Sequence, residues 1–224
     1  MYSSFKKLAL SAMVSGAIFS ATANAYTIID NNTGGLYNNH IGDMASYYGP
    51  TQFPGANSSE GDPTINPAVE PTTFPIATFG ADWQVANFTG ATAGNWVASS
   101  NIPNSWAVNT EVAAVYQFDL AAYTDLHLDF GVDNGIYIWL DGDYKYGALR
   151  GGGSSINEYD LDLSSVANGH HYLAVLMEDH GGGTGFDILV SGAQSAIQPS
   201  VPAPAAFILF VTGLLGLVRA RRTA

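Results

Sequence analysis

From Phe74 to Gly192 the chain breaks into short apolar or alternating runs set apart by Gly, Asn, Asp and Pro. In order they read FPIATF, WQVANF, EVAAVYQF, DLHLDFGV, GIYIWL, YKYGAL, EYDLDL, HYLAVLME and TGFDILVSG. All are rich in β-branched and aromatic residues, and each is predicted to be a strand. No stretch between them sustains the 3.6-residue period of an amphipathic helix. In EYDLDL, Tyr159, Leu161 and Leu163 point one way while Glu158, Asp160 and Asp162 point the other. In DLHLDF, Leu126, Leu128 and Phe130 likewise oppose Asp125, His127 and Asp129. A period of two with one polar side is a half-buried antiparallel strand, and those carboxylates read as a solvated face. The fold class is therefore all-β, an antiparallel β-sandwich or jelly roll. Residues 30–72 are dense in Asn, Gly, Pro and Ser, so 26–73 form a turn-rich approach with few strands inside a domain spanning 26–192. The polar stretch 193–200 follows as a linker.

The most informative run is VDNGIYIWLDGDYKYG, Val132 to Gly147. Asp141-Gly142 between two aromatic-rich runs signals a two-residue type I′ turn, which needs positive φ at both central positions. That loop pairs Leu140 with Asp143, Trp139 with Tyr144, Ile138 with Lys145 and Tyr137 with Tyr146. Tyr137, Trp139, Tyr144 and Tyr146 then share one face, and a longer loop would shift this register. Core packing is the default use of such a face. Left open, the same four rings would be a platform on which the C–H face of a pyranose stacks. Asp133, Asn134, Asp141 and Asp143 supply hard oxygens near the same turns, and Ca²⁺ is the cofactor they would suit. Asp and Asn also occur there simply because they form turns.

The two ends are patterned differently. MYSSFKK is basic, LALSAMVSGAIFSATA is apolar and small, and ANA precedes Tyr26. These three parts make 1–25 a secretory signal peptide, cleaved between Ala25 and Tyr26. At the other end Ala205–Val218 carries no charge, and a helix of that length spans about 21 Å against a hydrocarbon core of ~30 Å. Arg219, Arg221 and Arg222 follow at once, which holds the C-terminus in the cytoplasm. A short transmembrane helix of this kind pauses a translocating chain and makes a thin permanent anchor.

The order Val201-Pro202-Ala203-Pro204, apolar run, RARR resembles the PEP-CTERM protein-sorting signal, in its VPxPA-type variant. The resemblance covers 201–224 and departs from the name-giving motif at Ala203, where that motif has Glu. It implies processing by an exosortase-type sorting protease after transient inner-membrane insertion. It also implies residence at the surface or in the extracellular matrix of a Gram-negative bacterium that makes exopolysaccharide.

Charge narrows the partners. Of seven Lys and Arg only Lys145 and Arg150 lie between the two signals, against all nineteen Asp and Glu, a formal charge of −17. Such a surface repels nucleic acid. With no cysteine, disulfides, thiolate metal sites and a Cys nucleophile are excluded. His40, His127, His170, His171 and His180 form no H-x-x-x-H spacing, and no G-x-S-x-G elbow occurs. EDHGGGTGFD (178–187) lacks the Lys and helix of a phosphate cradle and reads as a turn. No catalytic residue is picked out, and the protein is expected not to be an enzyme.

VYQFDL (115–120), LDFGVDNGIYIWLDG (128–142) and GHHYLAVLMEDHGGGTGFDILVSG (169–192) together resemble the galactose-binding-like β-sandwich of many PEP-CTERM proteins. Asp141 stands where its hairpin usually has Asn. That resemblance implies an exported protein associating with extracellular polysaccharide. The alternatives are a structural or adhesion sandwich stabilised by Ca²⁺, or a secreted glycan hydrolase.

Overall fold

The computed structural model describes residues 25–49, 53, 64–85, 88–89, 95–150 and 153–194. Most of the signal peptide and all of the linker beyond Gln194 and the sorting segment lie outside them. No helix among the described residues is long and apolar enough to cross a membrane.

The elements run β1 (Tyr26–Ile29), β2 (Gly35–Gly42), α1 (Ala45–Tyr48), α2 (Ile76–Phe79), β3 (Val97–Ser99), β4 (Glu111–Leu120), β5 (Thr124–Leu140), β6 (Asp143–Arg150), β7 (Tyr159–Val166), β8 (Gly169–Glu178) and β9 (Gly185–Gln194). Every strand pairing is antiparallel. β5 organises the sandwich because it belongs to both sheets. Its first half, Thr124–Asp133, lies between β9 and β7 in one sheet completed by β1. Its second half, from Asn134, pairs with β6 and β8 in the other, which continues through β4 and β2 to β3. Phe130, Val132, Ile136, Ile138, Val175 and Ile188 fill the space between the sheets and are at most 2% exposed.

The second sheet has apolar side chains on both faces. Ala113, Val115, Tyr137, Trp139, Ala174 and Leu176 point away from the sandwich core, and a second core forms there. Residues between Ile41 and Trp96 roof it with Met44, Phe53, Phe79, Trp83 and Trp96. Rings pack through this layer: Trp83 stacks on Trp96 at 5.7 Å and meets Trp139 edge-on at 5.4 Å. Burial on both faces explains why β8 reads as the nearly unbroken apolar run YLAVLM.

Among the described residues of two expected strands, FPIATF and WQVANF, other structure is found for the same reason. Phe74–Phe79 holds the single-turn helix α2 after Pro75, and Ala81–Gln84 is a turn. Their aromatics serve the roof, so tertiary packing outweighs local strand preference. DLHLDFGV and GIYIWL, expected as two strands, form the single 17-residue β5. The Asp141-Gly142 turn is as expected, with φ of 54° and 91°. Beyond it the register agrees for Leu140↔Asp143 and Trp139↔Tyr144, then slips at a bulge so that Ile138 pairs Tyr146 and Tyr137 pairs Gly147.

Candidate functional site

The aromatic face proposed from the hairpin is not an open platform. Tyr137 and Trp139 are 0% exposed, because the roof covers the sheet face they occupy. Phe53 stacks on Tyr137 at 5.1 Å, and Trp139 Nε1 donates to Glu70 Oε1 at 2.9 Å. Tyr144 joins the same core half-buried, with its hydroxyl donating to the Ala68 carbonyl at 2.8 Å. The bulge sends Tyr146 to the opposite face, where it packs towards Tyr159. These rings hold the fold.

The four oxygen-bearing residues of the same stretch also part company. Asn134 and Asp141 lie seven residues apart on one extended strand, a separation of about 23 Å. Asp141 is occupied at the hairpin end, accepting from His171 Nδ1 at 2.7 Å and from the Tyr172 backbone N–H at 2.8 Å. Asp143 takes the Lys145 ammonium at 3.2 Å. The set of Asp133, Asn134, Asp141 and Asp143 is therefore two separate ends, not one cation site. Among the described residues no group of three or more His, Asp or Glu is placed to hold a metal. Of the remaining expected positions, Ala25 is exposed and β1 begins at Tyr26, directly after the expected cleavage point. Val201, Pro202, Ala203, Pro204, Arg219, Arg221 and Arg222 lie outside the described residues.

Polar groups instead gather where β5 leaves one sheet for the other. Asn134 is 3% exposed, and its side-chain carbonyl accepts from the His180 backbone N–H at 3.1 Å. Its own carbonyl accepts the Tyr159 hydroxyl. Three loops meet around this crossover. The loop after β8 supplies Asp179, 1% exposed, whose Oδ2 accepts the Asn109 N–H while its Oδ1 has no hydrogen-bond partner. The loop before β4 supplies Asn109 and Trp106, and the Thr184 hydroxyl clamps Trp106 by accepting its N–H and donating to its carbonyl, both at 2.9 Å. The loop before β7 closes on the strand: a Cβ on Gly131 would come within 2.5 Å of the Ser155 backbone.

What remains accessible there is specific. Trp106 is half-buried, one side packed on the sandwich core and its Nε1 donating to the Thr110 carbonyl at 2.7 Å. Asp133 is half-exposed beside the run Gly181–Gly183, and a Cβ on Gly183 would sit 3.8 Å from its Oδ2. Gly182 has φ of +86° and open space where a side chain would stand, so glycine there leaves bare backbone beside Asp133. Next to this end, along the outer face of the first sheet, runs an open groove of about 380 Å³ lined by Asp30, Asn31, Asn32, Ile156 and Asp187. A second groove of similar volume, lined by Asp125, His127, Asp162, Ser164 and Ser191, occupies the far end of that sheet. In it His127 sits between Asp162, 2.7 Å from Nδ1, and Asp129, 3.1 Å from Nε2, and these carboxylates raise the imidazole above its ordinary pKa.

Behind the crossover the roof seals a pair of acids. Glu111 opens β4 and Glu178 closes β8, one step beyond the Val112↔Met177 pair of their ladder. Glu111 is 1% exposed; its Oε2 accepts the Met44 N–H at 2.6 Å and its Oε1 has no partner. Burial raises its pKa to about 9, and the nearby Glu178 and Asp43 carboxylates push the same way. Burial raises Glu178 to about 7, opposed by the hydrogen bond and charge of His180, whose Nδ1 lies 2.9 Å from Oε1.

Sequence reasoning missed Trp106, Asn109, Asp179 and the Glu111–Glu178 pair. Trp106 lies in a short loop without period, and EDHGGGTG reads as an ordinary turn. The signal available was that Glu178, Asp179 and His180 directly follow the apolar run YLAVLM of β8, where three polar residues need partners.

No protein-family model matches the chain, and no curated protein matches it. Solved structures do show likeness. The PA14 sugar-binding domain from an RTX adhesin is 13% identical, with 70% of this chain and 89% of that one covered and a TM-score of 0.33. The PA14 domain of the MpAFP antifreeze protein is 13% identical, with 81% and 88% covered and a TM-score of 0.31. The GH2 β-galacturonidase of Eisenbergiella tayi is 16% identical, with 50% of this chain and 22% of that enzyme covered and a TM-score of 0.35. All three scores lie below 0.5, and the functional reading rests on this chain's own residues.

Proposed function

We propose that the chain is an exported, non-enzymatic protein of the cell surface or extracellular matrix that holds polysaccharide at the crossover end of its sandwich. The observation that carries this reading is a half-exposed tryptophan, Trp106, at the same end as Asp133, Asn109 and the bare backbone of Gly181–Gly183. A sugar ring needs an aromatic surface for its C–H face, planar hydrogen-bonding groups for its hydroxyls and little steric bulk around it. The open groove lined by Asp30, Asn31 and Asp187 lets a longer chain continue from there across the first sheet. The two most perturbed carboxyls, Glu111 and Glu178, are at most 1% exposed beneath the roof, where no substrate reaches them, which favours binding over hydrolysis. Export rests on the signal at 1–25 and the segment 201–224. The partners are an exosortase-type protease during transient inner-membrane insertion and polysaccharide outside a Gram-negative cell.

The test uses the full chain, exported from its host and purified. It should be retained by polysaccharide from the producing cells, and Trp106→Ala should weaken retention by about three- to tenfold, the range expected for the loss of one stacking contact. Melting of the variant within a few degrees of the parent shows that the sandwich is intact. Unchanged retention by such a folded variant would remove the site.

A further inference from the structure

We infer that the polysaccharide held at the crossover end is uncharged; this rests on the reading just given and narrows it to a substrate class. An anionic glycan, with uronate, sulfate or pyruvate groups, is recognised through free guanidinium or ammonium groups. The chain between its two signals has two strong bases, and each already lies against a carboxylate. Lys145 Nζ lies 3.2 Å from Asp143 at the hairpin end. Arg150 pairs with Asn134 beside the crossover, but its Nε is 2.9 Å from Glu158 Oε1 and its guanidinium stands over the Tyr159 ring at 5.4 Å. Four of the five histidines are likewise committed to carboxylates: His127 to Asp162, His170 to Asp119, His171 to Asp141 and His180 to Glu178.

Arg150, whose side chain is 47% exposed, is neutralised there by Glu158, and the other accessible charged groups at the site are acidic. Asp133 faces the glycine run, and Asp30 and Asp187 line the adjoining groove with neutral Asn31, Asn32 and Ile156. A carboxylate brought against them stays within a Debye length of about 8–10 Å at ordinary ionic strength, so salt does not hide the repulsion. Carboxylate and amide oxygens are good acceptors for sugar hydroxyls, and that chemistry needs no charge on the ligand. The acidic surface therefore selects against charged matrix polymers while leaving hydroxyl recognition intact, a discrimination made by repulsion.

The experiment offers the purified full chain three probe sets in EDTA: neutral polymers (dextran, arabinoxylan, N-acetylated chitin fragments), alginate as the uronate polymer, and polysaccharide from the producing cells. A neutral probe is expected to bind at least about a hundredfold more tightly than alginate, with an affinity that changes less than about threefold between low and high salt. Asp133→Lys is expected to narrow that preference at least about tenfold by raising alginate affinity. Alginate bound in EDTA as tightly as any neutral probe overturns the inference while leaving glycan binding standing. Alginate bound only after Ca²⁺ is added also overturns it, because the ligand is then an anionic chain with its counter-ion. No retention of any probe, including the producer's polysaccharide, defeats the glycan reading itself.

Discussion

Replacing Glu111 by Gln should stabilise the protein at neutral pH and leave it unchanged in mild acid. Glu111 is 1% exposed, accepts one backbone N–H from Met44 and leaves Oε1 without a partner. Burial raises its folded pKa from 4.5 to about 9. The folded state thus keeps the proton through a range in which the unfolded chain has lost it. Stability from this group is full below pH 4.5 and falls as pH rises towards the folded pKa, by 1.36 kcal/mol per pH unit. Between pH 4.5 and 7.5 the accumulated cost is about 4 kcal/mol, an upper bound because water entry relaxes a buried charge. Glutamine is neutral throughout, keeps an oxygen for Met44 and carries an N–H where the protonated acid has its O–H. The expected gain at pH 7.5 is about 2–4 kcal/mol, or roughly 5–15 °C in melting temperature for a chain of this size. At pH 4.5 the two proteins should agree within about 1 kcal/mol. Thermal and urea unfolding at the two pH values measure this. An equal effect at both, or a loss of stability at pH 7.5, would refute the buried-proton account.

Other perturbations separate the site from the scaffold. Trp139→Ala should cost about 3–5 kcal/mol in urea unfolding, because it empties the centre of the roofed core and strips Glu70 of its donor. Gly131→Ala should cost about 1–3 kcal/mol by driving a methyl group into the Ser155 backbone, read as a lower unfolding midpoint. Asp162→Asn should change stability by less than about 1 kcal/mol, since the His127 pair is exposed. His127 is raised, so that small effect belongs to the side of its transition where the ring is protonated and disappears as pH rises through it. A histidine titration followed by NMR locates that transition, and an effect growing with pH would contradict the assignment.

Much of the sandwich was legible because its signals are local. The Asp141-Gly142 turn, the alternation in β7 and the first half of β5, and the apolar run of β8 follow from turn chemistry and from which faces are covered. What failed was non-local. Tyr137 and Trp139 do share a face, and the default reading as core was the correct one. Nothing within the hairpin shows that Phe53, Phe74 and Trp83, fifty or more residues earlier, cover it. The bulge that turned Tyr146 away likewise depends on ladder geometry, not on composition. Asp133-Asn134-Gly135 resembles a turn, yet β9 on one side and β8 on the other carry β5 straight through it. The candidate site was hidden for a related reason: Trp106, Asp133 and Asp179 come from three separate segments, and hydrogen bonds to Thr184 and from Asn109 tie the Trp106 loop to the one after β8.

Tryptophan fluorescence bears most directly on the claim that glycan sits at the crossover. Of the four tryptophans, Trp83, Trp96 and Trp139 are at most 9% exposed and only Trp106 is open to solvent. Acrylamide quenching should therefore report mainly Trp106, and a bound polysaccharide should abolish most of that quenching in the parent protein while the Trp106→Phe variant shows almost none to lose. Retention of polysaccharide with quenching of Trp106 unaltered would contradict the account, because the sugar would then lie elsewhere on the molecule.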